Sequence, residues 1–545
     1  MTLFEQILTA RGLMTRAARQ AFLQPDYMAV KHDPFLLPDM KKAVARLKQA
    51  REQGEKIVIY GDYDIDGLSA TALLLDAFGK FGFEDVDAFI PNRFVEGYGM
   101  TMGAVDKVRD MGADLIVTVD TGSLCHAEIA YAASLGIDTV VTDHHNVAET
   151  PPPSVAAVNP KFPGHAYPFR DLCGAGVAFK LVQALQTELD GLPDGYEKWL
   201  LDLVALGTVC DIVTLADENR ANVYWGLEVL KKQQRPGLKA LMAVAGVEPG
   251  QVNARHLGFG LGPRMNAAGR LETAQHALDM LVARDGLAAL EASEKLEELN
   301  TKRRSIQDTI FEEACVQAEE LADDRVLVVS SSGWNHGVIG IVASKLVEKY
   351  KKPVFIIGER GEEATGSARS FGDFSAADAV RAADDIIIKG GGHGAAAGVT
   401  LETGKIGDFR RRVNQFYDSL QLTNQERYLL PRADVEIDDF SEVDEELVAN
   451  LAKMEPFGNG NPEPVLKITK TSVLSVRRMG TDGQHVKLAL RDKNGKVLQM
   501  LAFNAPEEFF REPGDEVVAW FQPTINEWQG ARTVEGRLLH IILLD

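Results

Sequence analysis

Three carboxylates alternate in Asp62-Tyr63-Asp64-Ile65-Asp66-Gly67, and further along the chain stand Asp120, the triplet Asp143-His144-His145, and Asp211. Carboxylate oxygen mixed with imidazole nitrogen suits Mn²⁺ or Mg²⁺ better than a thiolate-seeking metal. Two such cations about 3.5–4 Å apart make water nucleophilic near neutral pH and offset charge building on phosphoryl and leaving oxygens. The chemistry these residues support is therefore metal-dependent phosphoester cleavage. The elements that must position them are legible as short apolar runs. Lys56-Ile57-Val58-Ile59-Tyr60 leads into the first cluster, Leu115-Ile116-Val117-Thr118-Val119 into Asp120, and Thr139-Val140-Val141-Thr142 into the Asp-His-His triplet. Such runs read as buried parallel strands, and in an open α/β sheet ligands bind beyond the carboxyl ends of the strands. Asp211 follows Leu206-Gly207-Thr208-Val209-Cys210, near the end of a helical stretch from Trp199 to Val213.

Other readings of these residues stand beside this one. An Asp-x-Asp-x-Asp-Gly segment also occurs in calcium loops, but the EF-hand loop needs Glu at its twelfth position, and counting from Asp62 puts Leu73 there. His144 and His145 beside Asp143 can be a satisfied buried pair. Asp211 lies among Val209, Ile212 and Val213, where an unpaired charge is costly and a partner such as a metal is called for. Asp62, Asp64 and Asp66 point together only if their segment stays extended, with Gly67 permitting a tight exit.

At 545 residues the chain is too long for one ordinary core, and three or four domains are expected. Hydrophobic residues at 45% and charged residues at 25% are ordinary globular values. Cys125, Cys173, Cys210 and Cys315 are scattered, without Cys-x-x-Cys spacing, which argues against a disulfide framework or structural zinc and fits a reducing cytosol. The N-terminus lacks the pattern of a signal peptide, and no apolar run reaches membrane-spanning length, so a cytoplasmic protein without membrane partners is expected. The net charge of −21 opposes tight nonspecific duplex binding. It leaves open a nuclease that threads a single strand along a local positive path, because salt screens charges beyond ~8 Å.

Residues 1–55 read as helical, with apolar periodicity at Met14, Ala17, Ala18, Ala21 and Phe22 and again at Met40, Ala43, Val44 and Leu47. Residues 56–285 begin with strands alternating with helices, a βαβ rhythm that implies a parallel sheet. Residues 286–322 read as one long helix with an apolar stripe at Leu296, Leu299, Ile306, Ile310 and Ala314. At ~1.5 Å per residue it would span roughly 55 Å, enough to connect two lobes. Its basic cluster Lys302-Arg303-Arg304 either faces nucleic acid or is a solvated face. Residues 323–440 form a second, smaller α/β unit, residues 441–463 a helical acidic link, and residues 464–545 a run of short strands with the punctuation of a small β-barrel. The expected fold class is thus α/β, with a parallel-sheet domain joined by a long helix to a second α/β domain and followed by a barrel.

The Asp-His-His triplet, with the acidic segment before it, resembles the DHH phosphoesterase superfamily. One branch matches far more of the chain. Pro91-Asn92-Arg93-Phe94-Val95-Glu96-Gly97-Tyr98-Gly99, Leu172-Cys173-Gly174-Ala175-Gly176-Val177-Ala178-Phe179-Lys180 and Gly262-Pro263-Arg264-Met265-Asn266-Ala267-Ala268-Gly269-Arg270 are similar to segments of bacterial RecJ. So are Trp334-Asn335-His336-Gly337, Gly366-Ser367-Ala368-Arg369-Ser370, and Gly390-Gly391-Gly392-His393 followed by Ala396-Ala397-Gly398. The resemblance implies a DHH catalytic domain over 56–285, a DHH-associated C-terminal domain over 323–440 and an OB-fold over 464–545. It further implies a two-ion site in which Asp120 bridges, Asp66, His144 and Asp211 complete one ion, and Asp64 with Asp62 holds the other. His145 would contact substrate phosphate and Asp143 would orient an imidazole.

Tyr60 stands where the superfamily's pyrophosphatases carry a His, so the first ion would have fewer protein ligands, and Thr121 replaces a common Asn. Candidate strand contacts are Arg264, Asn266 and Arg270 on a Gly/Pro-flanked loop, Arg303 on the long helix, Arg369, Gly391, Gly392 and His393 in the second domain, and Trp528 in the barrel. The alternatives are loop anchoring for the first three, a surface ion pair for Arg369, a turn for the glycines and barrel core for Trp528. The implied activity is a 5′→3′ exonuclease specific for single-stranded DNA, acting in repair and recombination, with a single-strand-binding protein and a RecQ-type helicase as partners. The rivals are a DHH oligoribonuclease or cyclic-dinucleotide phosphodiesterase, and an inactive replication scaffold. The long helix and barrel argue against the first, and the crowded carboxylates against the second.

Overall fold

A computed structural model describes residues 1–97, 99–528 and 530–544, without the side chains of Glu426 and Trp528. Its first sheet holds five parallel strands in the order β2-β1-β3-β4-β5. These are β1 (Ile57–Tyr60), β2 (Val86–Phe89), β3 (Leu115–Val119), β4 (Asp138–Thr142) and β5 (Ala156–Val158). Every residue of β1 and β3 is buried, as continuous apolar runs require when both sheet faces are covered. Parallel pairing demands crossovers, and the helices Ile65–Phe81, Met102–Asp110 and His126–Ser134 supply them. Because β1, β3 and β4 are neighbours, the residues just past Tyr60, Val119 and Thr142 emerge along one edge. The helices Gly174–Leu185 and Leu201–Cys210 then pack on Ile65–Phe81, bringing two more helix ends to that edge.

The second sheet runs β6-β7-β8-β10-β9, comprising β6 (Leu327–Ser332), β7 (Val354–Arg360), β8 (Glu363–Arg369), β9 (Ile387–His393) and β10 (Ala396–Glu402). Only β6 and β7 are parallel, and the other pairings are antiparallel. The long helix spans Gly286–Glu320, and Asp285 caps it by accepting from the Leu287 and Ala288 N–H groups. Its Ile310 and Ala314 enter the core that Leu327, Val329 and Ile356 form under the helix Ile339–Tyr350.

The C-terminal strands are β11 (Val435–Ile437), β12 (Leu466–Met479), β13 (His485–Arg491), β14 (Val497–Ala502), β15 (Glu516–Trp528) and β16 (Ala531–Leu543). They close into a barrel because β12 pairs with both β13 and β15. Its core also takes Leu3, Ile7 and Leu8 of the first helix, whose start is tied down by Leu3 N–H donating to Glu442 at 2.7 Å. The N-terminal segment is therefore part of the barrel's packing.

The chain divides into two compact units. Residues 1–91, 96–262 and 430–545 make one, with the parallel sheet and the barrel, and residues 92–95 and 263–429 make the other. Residues 263–285 thus go with the second α/β domain, where Gln275–Val282 packs on the long helix. The four cysteines are free, and no helix among the described residues is long and apolar enough to cross a membrane.

Candidate active site

The acidic cluster does not stay extended. β1 ends at Tyr60, Asp62 and Asp64 occupy the connection, and Asp66 lies in the first turn of the Ile65–Phe81 helix. Asp64 is the N-cap, its Oδ1 accepting from the Asp66 and Gly67 N–H groups at 3.0 and 3.1 Å. Convergence comes from close packing instead, since a Cβ on Gly67 would lie 2.6 Å from the Asp62 nitrogen. Asp66 accepts from the Gly174 and Ala175 N–H groups at the start of the Gly174–Leu185 helix, where the helix dipole favours an anion.

Asp120 leaves β3 in the left-handed region, with φ +61°, a conformation Asp tolerates better than most residues. It sits against Gly174, where a Cβ would come within 2.5 Å of the Asp120 Cβ. Asp211 caps the end of Leu201–Cys210. His144 Nε2 lies 3.1 Å from Asp120 Oδ1, 3.5 Å from Asp211 Oδ2 and 3.7 Å from Asp66 Oδ2. Three donor sets each lie within 4.8 Å: Asp62, Asp64 and Asp120; Asp120, His144 and His145; Asp66, His144 and Asp211. Asp120 is common to two of them. Among the described residues, its two carboxylate oxygens and His144 Nε2 are buried with no hydrogen bond, the close approach of Nε2 to Oδ1 not making one, an arrangement that buried polar groups avoid unless something else satisfies them. Divalent cations of the Mn²⁺ or Mg²⁺ type fit this oxygen-rich set.

The electrostatics agree. Burial and the neighbouring carboxylates push Asp66 up to about 6 and Asp211 up to about 8, and hold Asp120 well above the carboxylate range. Burial and the adjacent His145 lower His144 to about 4, keeping it neutral. Burial works against a charged His145, but Asp143 outweighs it and raises that imidazole to about 9. Asp143 is itself buried, yet hydrogen bonds from His145 and backbone N–H groups hold it below the carboxylate range. Tyr60 stays out of the cluster, fully buried with its hydroxyl donating to the Gly99 carbonyl at 3.1 Å.

A second constellation lies within the other unit. A cavity of about 430 Å³ is lined by Arg93, Arg270, His336, Arg360, Ser367 and Arg369, together with Phe94, Gly337 and Gly340 at the start of Ile339–Tyr350. Arg369 donates to Ser367 Oγ and the Ala368 carbonyl at 3.2 and 2.8 Å, and among the described residues no carboxylate pairs with it. Arg93, His336 and Ser367 lie within the RecJ-like segments without standing out there as strand contacts, and Arg360 lies outside them, since single residues on four separate segments have no spacing to read.

The remaining candidates are placed as follows. Arg264, Asn266 and Arg270 ride on a helix, Gly262–Leu271, rather than a loop; it continues directly from the π-helical stretch His256–Leu261, and Ala267 and Ala268 propagate it. Arg264 pairs with Glu297, and Arg270 donates to the Gly337 carbonyl at 2.9 Å. Arg303 is buried and held by Asn300 and Gln307, so the outward face of the basic cluster consists of Lys302 and Arg304. Gly391, Gly392 and His393 lie on the exposed edge strand β9. Gly392 is required by packing, since a Cβ would stand 2.4 Å from the Ala396 carbonyl oxygen. In register, Arg369 and His393 flank Ala396 from its two sides. The side chain of Trp528 and all of Tyr98 lie outside the described residues.

Fold and site together define the class. Residues 56–208 match the DHH family, N-terminal domain; residues 323–419 match the DHHA1 domain; residues 433–540 match the RecJ OB domain. The chain is 34% identical over 538 residues to the single-stranded-DNA-specific exonuclease RecJ of Dickeya dadantii, covering 93% of this chain and 91% of that protein. It is 38% identical over 537 residues to the Bacillus subtilis protein of the same name, covering 97% of this chain and 66% of that one. The crystal structure of RecJ in complex with Mn²⁺ from Thermus thermophilus superposes with a TM-score of 0.82 at 29% identity, over all of this chain and 79% of that one. The chain belongs to the RecJ family.

Proposed function

We propose that this chain is a Mn²⁺- or Mg²⁺-dependent exonuclease that hydrolyses single-stranded DNA from its 5′ end in DNA repair and recombination. The observation that carries the reading is the convergence of three buried, unpartnered atoms, Asp120 Oδ1, Asp120 Oδ2 and His144 Nε2, on a point ringed by acidic groups. Asp62, Asp64 and Asp120 would hold one ion, and Asp66, His144 and Asp211 the other, with Asp120 serving both. Bound there, two divalent cations supply an activated water and neutralise charge on the phosphoryl oxygens. The chain's own groups do the rest. The doubly anchored Asp66 carboxylate keeps its aim because backbone N–H groups hold both oxygens. His145, its Nδ1 held 2.9 Å from Asp143 Oδ1, would donate from its other ring nitrogen to a non-bridging phosphate oxygen, and Asp143 fixes its ring.

The arginine-lined cavity supports recognition of a terminal phosphate, since guanidinium forks bind phosphate bidentately and a helix start adds aligned N–H groups. The barrel carries groups suited to a single strand: Phe503 is 65% exposed beside His485, and the Arg478 guanidinium stacks 3.6 Å from the Phe510 ring centroid. Stacking plus positive charge is how such barrels hold strands without reading sequence. The oligoribonuclease and scaffold readings leave the RecJ-type barrel and the complete donor set without a use. A single-strand-binding protein and a RecQ-type helicase as partners, and a cytoplasmic location, belong to the same proposal.

The test is mononucleotide release from 5′- and 3′-labelled single-stranded DNA, with RNA in parallel, with Mn²⁺, with Mg²⁺ and with EDTA. Release that starts from the 3′ label, prefers RNA or persists in EDTA would overturn the reading.

A further inference from the structure

Ile212, the residue after Asp211, adopts φ +58°. It occupies the position just past a helix end, where the left-handed conformation is usual but glycine is the usual residue. For a β-branched residue this conformation is a genuine outlier, held under strain. Packing does not hold it there, since Ile212 is 69% exposed. Farther along the turn, Thr214 N–H donates to Asp171 Oδ2 at 3.1 Å and Asn219 Nδ2 donates to the Thr214 carbonyl at 3.0 Å; at the Ile212 carbonyl itself the structure offers a loop 247 residues away. Asn459 Nδ2 donates to the Ile212 carbonyl at 2.8 Å, and the Asn459 carbonyl accepts from the Leu215 N–H at 2.8 Å.

The loop is built for close approach. Gly458 and Asn461 exchange backbone hydrogen bonds at 2.9 and 3.1 Å across the turn, and Gly460 takes φ +76°. A Cβ on Gly458 would stand 2.7 Å from Leu215 Cδ1, and one on Gly460 would stand 2.6 Å from Thr214 Cγ2. The turn is in turn anchored. Asn461 is 3% exposed, donates to the Met454 and Pro456 carbonyls at 2.9 and 2.8 Å, and accepts from Arg11 at 2.7 Å.

We propose that Asn459 is a positioning residue for the hydrolytic centre: its two hydrogen bonds hold the turn after Asp211 in its strained form, and so aim the Asp211 carboxylate at the group shared with His144 and Asp66. The segment entering the barrel thereby completes the metal site of the parallel-sheet domain. The inference rests on the proposed reading of Asp211 as a metal ligand, and the experiment separates the two.

Mn²⁺ binding is measured without DNA, by loss of the free-ion electron paramagnetic resonance signal, together with thermal unfolding, for wild type, Asp211→Asn, Asn459→Ala, Ile212→Gly and the Asn459→Ala/Ile212→Gly double variant. Asn459→Ala keeps the main-chain bond to Leu215, so its unfolding midpoint stays near wild type, while its weaker-held ion is bound roughly five- to twentyfold less tightly, the worth of one hydrogen bond plus released strain. Glycine accepts positive φ without cost, so Ile212→Gly restores affinity in the double variant. Wild-type Mn²⁺ affinity in Asn459→Ala, or a loss that Ile212→Gly fails to rescue, overturns the positioning role. Should Asn459→Ala fold poorly, Asn459→Ser, whose hydroxyl is too short to reach the Ile212 carbonyl, gives the same comparison: a loss that Ile212→Gly rescues supports the role, and wild-type affinity or an unrescued loss overturns it. Unchanged binding in Asp211→Asn overturns the ligand assignment itself.

Discussion

Asp143 and His145 form a closed pair beside the metal cluster. Asp143 Oδ1 lies 2.9 Å from His145 Nδ1 and also accepts from the His144 and His145 N–H groups at 2.7 and 3.1 Å, while Oδ2 accepts from Ser123 N–H at 2.9 Å. Four contacts fill the carboxylate's acceptor positions, which fits the proposed role of orienting the His145 ring. Replacing His145 by Ala should lower kcat by roughly ten- to hundredfold, the worth of a charge-assisted hydrogen bond. Mn²⁺ affinity should stay within a few-fold of wild type. Equal losses in turnover and in metal affinity would instead make His145 a ligand.

Asp120 is the residue whose loss should be most severe. Asp120→Asn keeps the shape and the tolerance for positive φ but removes the charge common to two donor sets. Turnover should fall below detection in Mn²⁺ and Mg²⁺ alike, while binding of single-stranded DNA, followed by fluorescence anisotropy, persists. Turnover within tenfold of wild type would falsify the shared-ligand role.

The raised carboxylates give the metal-free protein a defined pH response. A carboxylate whose folded pKa lies above its unfolded value of ~3.9 adds stability in acid, and that contribution disappears as pH rises through the folded value. With Asp66 at about 6 and Asp211 at about 8, Tm in EDTA should decline between pH 5 and pH 8. Mn²⁺ binds the deprotonated groups, so the gap between Tm with Mn²⁺ and with EDTA should widen over that range. Calorimetry showing the same gap at both ends would contradict a carboxylate-held ion.

For the arginine-lined cavity, Arg369→Ala should cost roughly ten- to hundredfold in kcat/KM on strands bearing a 5′ phosphate. The loss should be smaller on strands ending in a 5′ hydroxyl. Equal losses on both substrates would move terminal-phosphate recognition to other residues.

Arg220 makes a stability prediction away from the chemistry. Its buried guanidinium donates only to carbonyls, those of Phe22, Met454, Glu455 and Pro456, at 2.9 to 3.3 Å, and lies 3.8 Å from the Phe22 ring centroid. Arg220→Ala strands these acceptors and should destabilise the protein by about 2–4 kcal/mol in urea unfolding. A change below about 0.5 kcal/mol, the ordinary size of a surface substitution, would show that the knot is not structural.

Much of this protein is written locally. β-branched runs ending at Tyr60, Val119 and Thr142 specify strands, because short β-branched apolar runs suit a strand covered on both faces. Once those strands are parallel neighbours, Asp62, Asp120 and His144 must share an edge. Residue type marks the candidate donors, and the resemblance supplies their division between two ions. Side-chain partners separated by long stretches of chain are a different matter. The sequence lets Asp62, Asp64 and Asp66 point together only on an extended segment; the packing of Gly67 on Asp62, together with the N–H groups of Gly174 and Ala175, decides for a helix start instead. Arg303 reads like its basic neighbours until Asn300 and Gln307 turn it inward. Residues 1–55 read as helical without an address, and for Leu3, Ile7 and Leu8 only the barrel supplies one. The four arginines of the cavity, and Asn459 opposite Ile212, are brought together by topology alone. Periodicity reports which face of an element is apolar; what stands opposite that face is decided when the elements pack.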